Sequence, residues 1–254
     1  MTLKHILLYA VLFSFNGALW AQKFREHPDN EPRNKGKAIF MHLTFGAHSP
    51  QADMARRFGV DQNFGGIVEF LTARNFFIGT EGHFFFSNTV KEDPLAILRT
   101  PEGDIIGNNR VLASVSLRER GFYAGAHVGK LFAFGKGRSG LRVSLGAGVL
   151  RHWIRLQDDL QSVTEITGDY KKGYDRLTQG FALNQMIAWQ HIGKTRRINF
   201  FAGLEFNEGF TNTRRDWDFT EMRKLDEART DLRIGIRVGW AIPFYLTKAE
   251  EVYY

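Results

Sequence analysis

The sequence predicts an all-β chain, folded as an eight-stranded antiparallel up-and-down β-barrel of the transmembrane type, and three observations carry that prediction. Apolar residues recur at every second position through most of the chain from Ala38 onward, and no helical period longer than a loop insert interrupts them. The connections between these runs alternate long and short, the rhythm of a barrel with large loops on one side and tight turns on the other. The apolar row of a run is built of large side chains, whereas the facing row mixes glycine, charge and small polar residues.

The 254 residues include 34 Lys and Arg, 27 Asp and Glu, 26 Gly and no Cys, with 43% apolar and 24% charged residues. That balance belongs to a folded chain and excludes the collagen-like, disordered and disulfide-stapled classes. Without cysteine there is no thiolate metal site and no cysteine nucleophile, which leaves His, carboxylate and hydroxyl chemistry. Beyond the N-terminus no apolar run approaches the roughly 18 residues of a helical membrane span, a limit that says nothing against strands.

In chain order, the first element is an export address. Lys4 and His5 lead into an apolar stretch, 6–19, that closes on Ala18-Leu19-Trp20-Ala21, the order of basic head, apolar middle and small residue of a secretory signal peptide. Cleavage is expected after Ala21, which removes one Lys and takes the formal net charge from +7 to +6. Residues 22–37, polar and holding Pro28 and Pro32, form a leader expected in the periplasm. Export of a cysteine-free chain fits a bacterial envelope. The barrel is expected over 38–245, ahead of a periplasmic tail at 246–254.

The first strand, 38–48, sets Ile39, Met41, Leu43 and Phe45 against Phe40, His42, Thr44 and Gly46. A long connection, 49–63, leads to a strand at 64–72, and Ala73-Arg74-Asn75 turns it tightly into the next at 76–87. The connection at 88–120 is long again and ends at a fourth strand, 121–134, which the short 135–139 joins to a fifth at 140–156. There Leu141, Val143, Leu145, Ala147 and Val149 alternate with Arg142, Ser144, Gly146 and Gly148. After the long 157–173 come a strand at 174–191, a tight 192–197, and a strand at 198–213, in which Ile198, Phe200, Ala202, Leu204 and Phe206 oppose Asn199, Phe201, Gly203, Glu205 and Asn207. A long connection, 212–229, precedes the last strand, 230–245. Its rows are the clearest: Leu232, Ile234, Ile236, Val238, Trp240, Ile242 and Phe244 against Arg233, Gly235, Arg237, Gly239, Ala241 and Pro243. An even strand number puts both ends of the barrel on the turn side, expected to be periplasmic, with the long loops extracellular.

A soluble barrel hides its apolar row, and a membrane barrel shows that row to lipid. The interior of eight strands has room only for side chains, so the mixed row is expected inside, with glycine leaving space for long neighbours. The pleat then gathers Glu69, Glu81 and Glu205 with Arg142, Arg233 and Arg237, and sets His42, His83 and His127 among them. Charges held away from bulk water require partners, so an ion network plugging the lumen is expected, with a proton or ion path as the alternative. Tyr123 and Trp153 at the loop ends, beside Phe84 and Phe86, and Trp189, Trp240 and Tyr245 at the turn ends, are expected to form two aromatic girdles at the membrane interfaces.

No G-x-S-x-G, H-E-x-x-H, P-loop or dinucleotide fingerprint occurs, so a non-enzymatic protein without cofactor is expected. His152, Asp158, Asp159, Asp216, Asp218 and Glu221 fall where the rim site of a membrane-barrel enzyme would lie. Asp216, Asp218 and Glu221 are also candidates for Ca²⁺, although the calcium-loop glycine is missing and solvated loop charge explains them more simply. The connections at 88–120 and 212–229 each carry five basic and five acidic side chains. Such balance argues against nucleic acid and for contacts with lipopolysaccharide phosphates, with one another or with an envelope protein partner. The short turns are basic at Arg74, Lys136, Arg138, Lys194, Arg196 and Arg197, as expected of a periplasmic side facing anionic lipid.

The signal, the eight alternating strands, the long loops and tight turns, and a final strand ending Gly235-Ile236-Arg237-Val238-Gly239-Trp240-Ala241-Ile242-Pro243-Phe244-Tyr245 resemble the small outer-membrane β-barrel proteins of the OmpA/OmpX-like type, over about residues 37–245. The resemblance implies insertion by the outer-membrane assembly machinery, which recognises an aromatic-rich C-terminal strand. Here the chain departs from the pattern by continuing through 246–254. Residues 168–175 and 206–210 are similar to segments of envelope barrels from gliding and type IX secreting bacteria, which implies, as an alternative, a component of a secretion or gliding machinery. The expected role is that of a structural scaffold or accessory subunit of an envelope complex in the bacterial outer membrane, in contact with outer-membrane lipid. A rim enzyme acting on lipid or peptide, a narrow channel and a soluble exported lipocalin-like binder are the alternatives.

Overall fold

The computed structural model describes residues 36–134, 138–193 and 198–246. The expected signal peptide and its Ala21 break, most of the leader, the turn residues Lys136, Lys194, Arg196 and Arg197, and the tail beyond Leu246 lie outside the described residues. Eight long strands form one closed antiparallel barrel. They are β1 (Ala38–Gln51), β2 (Asp61–Leu71), β3 (Phe76–Ser87), β4 (Ser116–Ala133), β5 (Gly140–Gln157), β6 (Thr178–Ile192), β7 (Asn199–Thr213) and β8 (Arg229–Tyr245). Each pairs with its neighbour in sequence, and β8 closes on β1 with Ala38 opposite Tyr245 and Gln51 opposite Leu232.

The strand starts differ from the expected ones in an instructive way. β4 begins at Ser116 rather than Gly121, because its polar segment keeps pairing with β5, Ser116 opposite Gln157 and Arg120 opposite Trp153. Backbone hydrogen bonds need no apolar alternation, so the period fades before the ladder does. β6 starts only at Thr178, since Tyr170–Gly173 turns as a 3₁₀ helix and carries the apolar Tyr174 and Leu177 into the loops. The first long connection contains α1 (Ala52–Arg57), and the next holds a small ribbon pairing Ile105–Ile106 with Leu112–Ala113.

The large apolar row of the strands faces outward. Leu43 is 56% exposed, Leu204 51% and Ile236 60%, while Arg142 is 0% and Glu205 1% exposed on the opposite row. Inside, the barrel is layered. At the turn end Phe40, Leu71, Phe77, Leu131, Ile192 and Ala241 pack with Ala38 and Tyr245 into an apolar plug. At the loop end a second plug joins Met54 and Phe58, delivered by α1 and the residue after it, to Phe85, Tyr123, Leu150, Ile154 and Ala182. Charged side chains occupy the middle of the lumen, between these two apolar clusters. Several glycines of the wall make room for rings. A Cβ on Gly121 would lie 2.2 Å from Phe85, on Gly129 2.3 Å from Phe77 and on Gly239 2.3 Å from Phe201.

Two of the five residues expected in the aromatic girdles face the other way. Tyr123 is 1% exposed and stacks on His83 at 6.3 Å between ring centroids, and Tyr245 packs against Phe40 inside the turn-end plug. Nearness to a strand end says nothing of facing. Tyr123 shares the parity of His127, and Tyr245 that of Ala241, and both of those point inward. Trp189 and Trp240 are about half exposed on the outer row, and Trp153 lies partly covered on the same face.

Candidate functional site: the charged lumen

Between the two plugs the pleat places four carboxylates, three guanidiniums and four imidazoles, all buried: Glu69, Glu81, Glu205 and Asp61; Arg142, Arg233 and Arg237; His42, His48, His83 and His127. Glu69 of β2 is one hub. It accepts from both Arg142 Nη1 and Nη2 at 2.7 and 2.5 Å, from His42 Nε2 at 3.0 Å and from His127 Nε2 at 3.2 Å. The Arg142 guanidinium also donates to Gln190 and lies 4.0 and 5.3 Å from the Phe77 and Phe201 ring centres, so aromatic carbon lies over it while oxygens meet its two terminal nitrogens.

Arg237 of β8 is the second hub. Its Nη1 donates to Glu81 at 2.8 Å and its Nη2 to Glu205. His83 Nε2 donates to Glu81 at 2.8 Å, His48 Nε2 to Glu205 at 2.8 Å, and Asn184 to Glu205 at 2.6 Å. His127 Nδ1 lies 3.8 Å from Glu81 and so adjoins both hubs. Nearer the loop end Arg233 grips Asp61 through Nε at 3.0 Å and Nη2 at 2.5 Å, with its guanidinium 3.8 Å from the Phe85 ring centre. Paired this way, each charge recovers interactions that burial alone would forfeit.

Asp61, His48 and Asn184 were not among the residues singled out from the sequence. Asp61 shares the parity of Glu69, and His48 that of His42, but both sit beyond the ends of the clear alternating runs. Carrying the parity outward past those runs would have found them.

Glu119 stands apart. It is fully buried on the inner row of β4, and neither of its carboxylate oxygens has a hydrogen-bond partner among the described residues. Arg233, the guanidinium nearby, is already held by Asp61. Glu119→Gln is therefore expected to change stability by less than about 1 kcal/mol, since it exchanges one unpartnered buried polar group for another of the same shape and breaks no pair. Denaturant titration checks this, and a clear loss of stability would mean that the carboxylate is paired.

Over the loop-end plug the connections are tied together. Arg57 of α1 donates to Glu92 at 2.7 Å and to Thr178 at 3.0 Å; Arg176 pairs with Glu92 and lies 3.2 Å from Asp218. Burial lowers the proton affinity of Arg57, helped by the neighbouring Arg229 and opposed by Glu92, and burial likewise pushes the Tyr174 phenol up. A cleft of about 390 Å³ lies here, walled by Arg57, Arg176 and Arg229 with Asp53, Glu92 and Glu221.

The six rim residues considered from the sequence do not form one site, although two of them, Asp218 and Glu221, both face Arg176, at 3.2 and 3.5 Å. His152 is buried against Asp231 at 2.8 Å, and Asp231 also accepts from Thr211. Asp158 holds Ser162 and the Val163 amide, Asp159 accepts from Gln157, and Asp218 caps the Thr220 and Glu221 amides, so the first two shape one loop and the third another. Among the described residues no group of three or more His, Asp or Glu is placed to hold a metal ion, and no helix is long and apolar enough to cross a membrane.

No family model and no curated protein matches the chain. Among solved structures it is similar to Ail, the attachment invasion locus protein of Yersinia pestis, at 10% identity and a TM-score of 0.38, over 82% of this chain and 99% of that one. Neisserial surface protein A is similar at 11% identity and a TM-score of 0.35, over 81% and 99% of the two chains. The outer membrane protein OprG from Pseudomonas aeruginosa is similar at 11% identity and a TM-score of 0.36, over 85% and 100%.

Proposed function

We propose that the chain is a membrane-spanning barrel of the bacterial outer membrane with a closed lumen, serving as a non-enzymatic scaffold or accessory subunit of an envelope complex. The observation that carries this reading is the inversion of the ordinary protein interior. Arginine and glutamate are buried, while a belt of Leu, Ile, Val and Phe is exposed around the wall, as on Leu43, Leu204, Ile236 and Val238. In water such a belt would far exceed the few hundred Å² of apolar patch usual on a soluble monomer. Lipid removes that cost, and the closed strand ladder leaves no edge unpaired.

The other readings fit less well. A lipocalin-like binder needs an apolar cavity, where this lumen holds ion pairs. A channel needs a water path, where both ends are filled by the two plugs. A rim enzyme built on His152 needs that imidazole accessible, and it is 0% exposed.

The test is envelope fractionation with electrophoresis of unheated samples. The protein is expected in the outer-membrane fraction as a compact fast band that slows on boiling, and as non-conducting in planar bilayers. Recovery in the soluble fraction without a heat shift would overturn the membrane reading, and steady conductance would overturn the closed lumen.

A further inference from the structure

The outward rows of β4 and β5 change character at their loop ends. Below lie Phe122 and Val149; above them come Arg118 and Arg120 on β4, and Arg151 and Arg155 on β5. The register sets Arg118 directly opposite Arg155, Arg120 opposite Trp153 and Arg151 opposite Phe122. Cross-strand neighbours stand only about 5 Å apart, and like charges in that position repel. Elsewhere this chain neutralises its crowded arginines: Arg57, Arg176, Arg215 and the three guanidiniums of the lumen all hold carboxylates.

These four do not. Among the described residues none of them forms an ion pair with a carboxylate. Arg120 Nη1 donates to the Glu119 carbonyl at 2.6 Å, its guanidinium lies 5.9 Å from the Phe86 ring centre, Arg151 lies 6.0 Å from Trp153, and Arg151 Nε is buried without a partner. The aromatic rings orient the guanidiniums without discharging them. An apolar wall topped by unneutralised guanidiniums has the form of a receptor for an amphiphile with an anionic head.

We infer that Arg118, Arg120, Arg151 and Arg155 form a binding site for the phosphate groups of a phosphorylated lipid in the leaflet on the loop side, with its acyl chains against Phe84, Phe122 and Val149. Guanidinium suits this role because its planar fork meets phosphate oxygens in pairs, which an ammonium cannot do. Phosphate between Arg118 and Arg155 also relieves the repulsion built into the register. The inference rests on the membrane-spanning reading.

The experiment uses the full mature barrel refolded in neutral detergent, its fold checked by the heat-dependent band shift. Diphosphoryl lipid A and its dephosphorylated form are titrated separately, and bound lipid is read by native mass spectrometry. Diphosphoryl lipid A is expected to bind the wild type at least about tenfold more tightly than the dephosphorylated form, and Arg118→Gln with Arg155→Gln to erase that preference while keeping the band shift. Equal binding of the two lipids by the wild type, or an undiminished preference in the double variant, overturns the site. Displacement of the lipid by millimolar inorganic phosphate also overturns it, because the site would then be one for free anions. A wild type with no band shift and no affinity for detergent would instead refute the membrane reading beneath it.

Discussion

Replacing Glu69 with alanine is expected to destabilise the barrel by about 3–5 kcal/mol, the cost of leaving a buried partner charge uncompensated. The carboxylate accepts both terminal nitrogens of Arg142 and a nitrogen from each of His42 and His127, and all four residues are buried. Removing it strands a guanidinium between the Phe77 and Phe201 rings, 4.0 and 5.3 Å from their centres, where water cannot replace the lost oxygens. Glu69→Ala combined with Arg142→Met should recover much of the loss, because an apolar pair of similar volume does not need the attraction that the ion pair needs. Reversible unfolding in denaturant, from lipid vesicles, measures both. A single-variant loss below about 1 kcal/mol would mean that the lumen is hydrated.

The second large effect lies on the outside. Leu204 sits on the outer row of β7, directly opposite Ile187 on β6 and Ile236 on β8, all three about half exposed. Leu204→Arg is expected to cost about 2–4 kcal/mol in vesicles if this row lies near the centre of a bilayer. On a wall facing water the same change would stay within about 0.5 kcal/mol. Vesicle-based unfolding of the variant therefore tests the membrane reading independently of fractionation, and a negligible cost would contradict it.

The sequence was informative wherever the strand period carried the information. Alternation along β8 separated Arg233 and Arg237 from Ile236 and Val238, and β3 came out with its observed bounds, Phe76–Ser87. It misled where position along a strand was read as facing, as with Tyr123 and Tyr245, and it fell silent where alternation lapsed, as at His48 and Asp61. It also missed the contribution of Met54 and Phe58 to the loop-end plug, since both come from a connection and not from a strand.

What the chain's own pattern settles here is which face each strand residue takes, because the pleat makes neighbours point opposite ways whatever the rest of the molecule does. Which residues meet is another matter. Glu81 and Arg237 are 156 positions apart, Asp61 and Arg233 172, and neither pair exists until the ladder closes and its register sets the height of every side chain in the lumen. The four outward arginines illustrate the same division. Their identities are plain in the sequence, but only the pairing of β4 with β5 brings like charges face to face with no carboxylate between them.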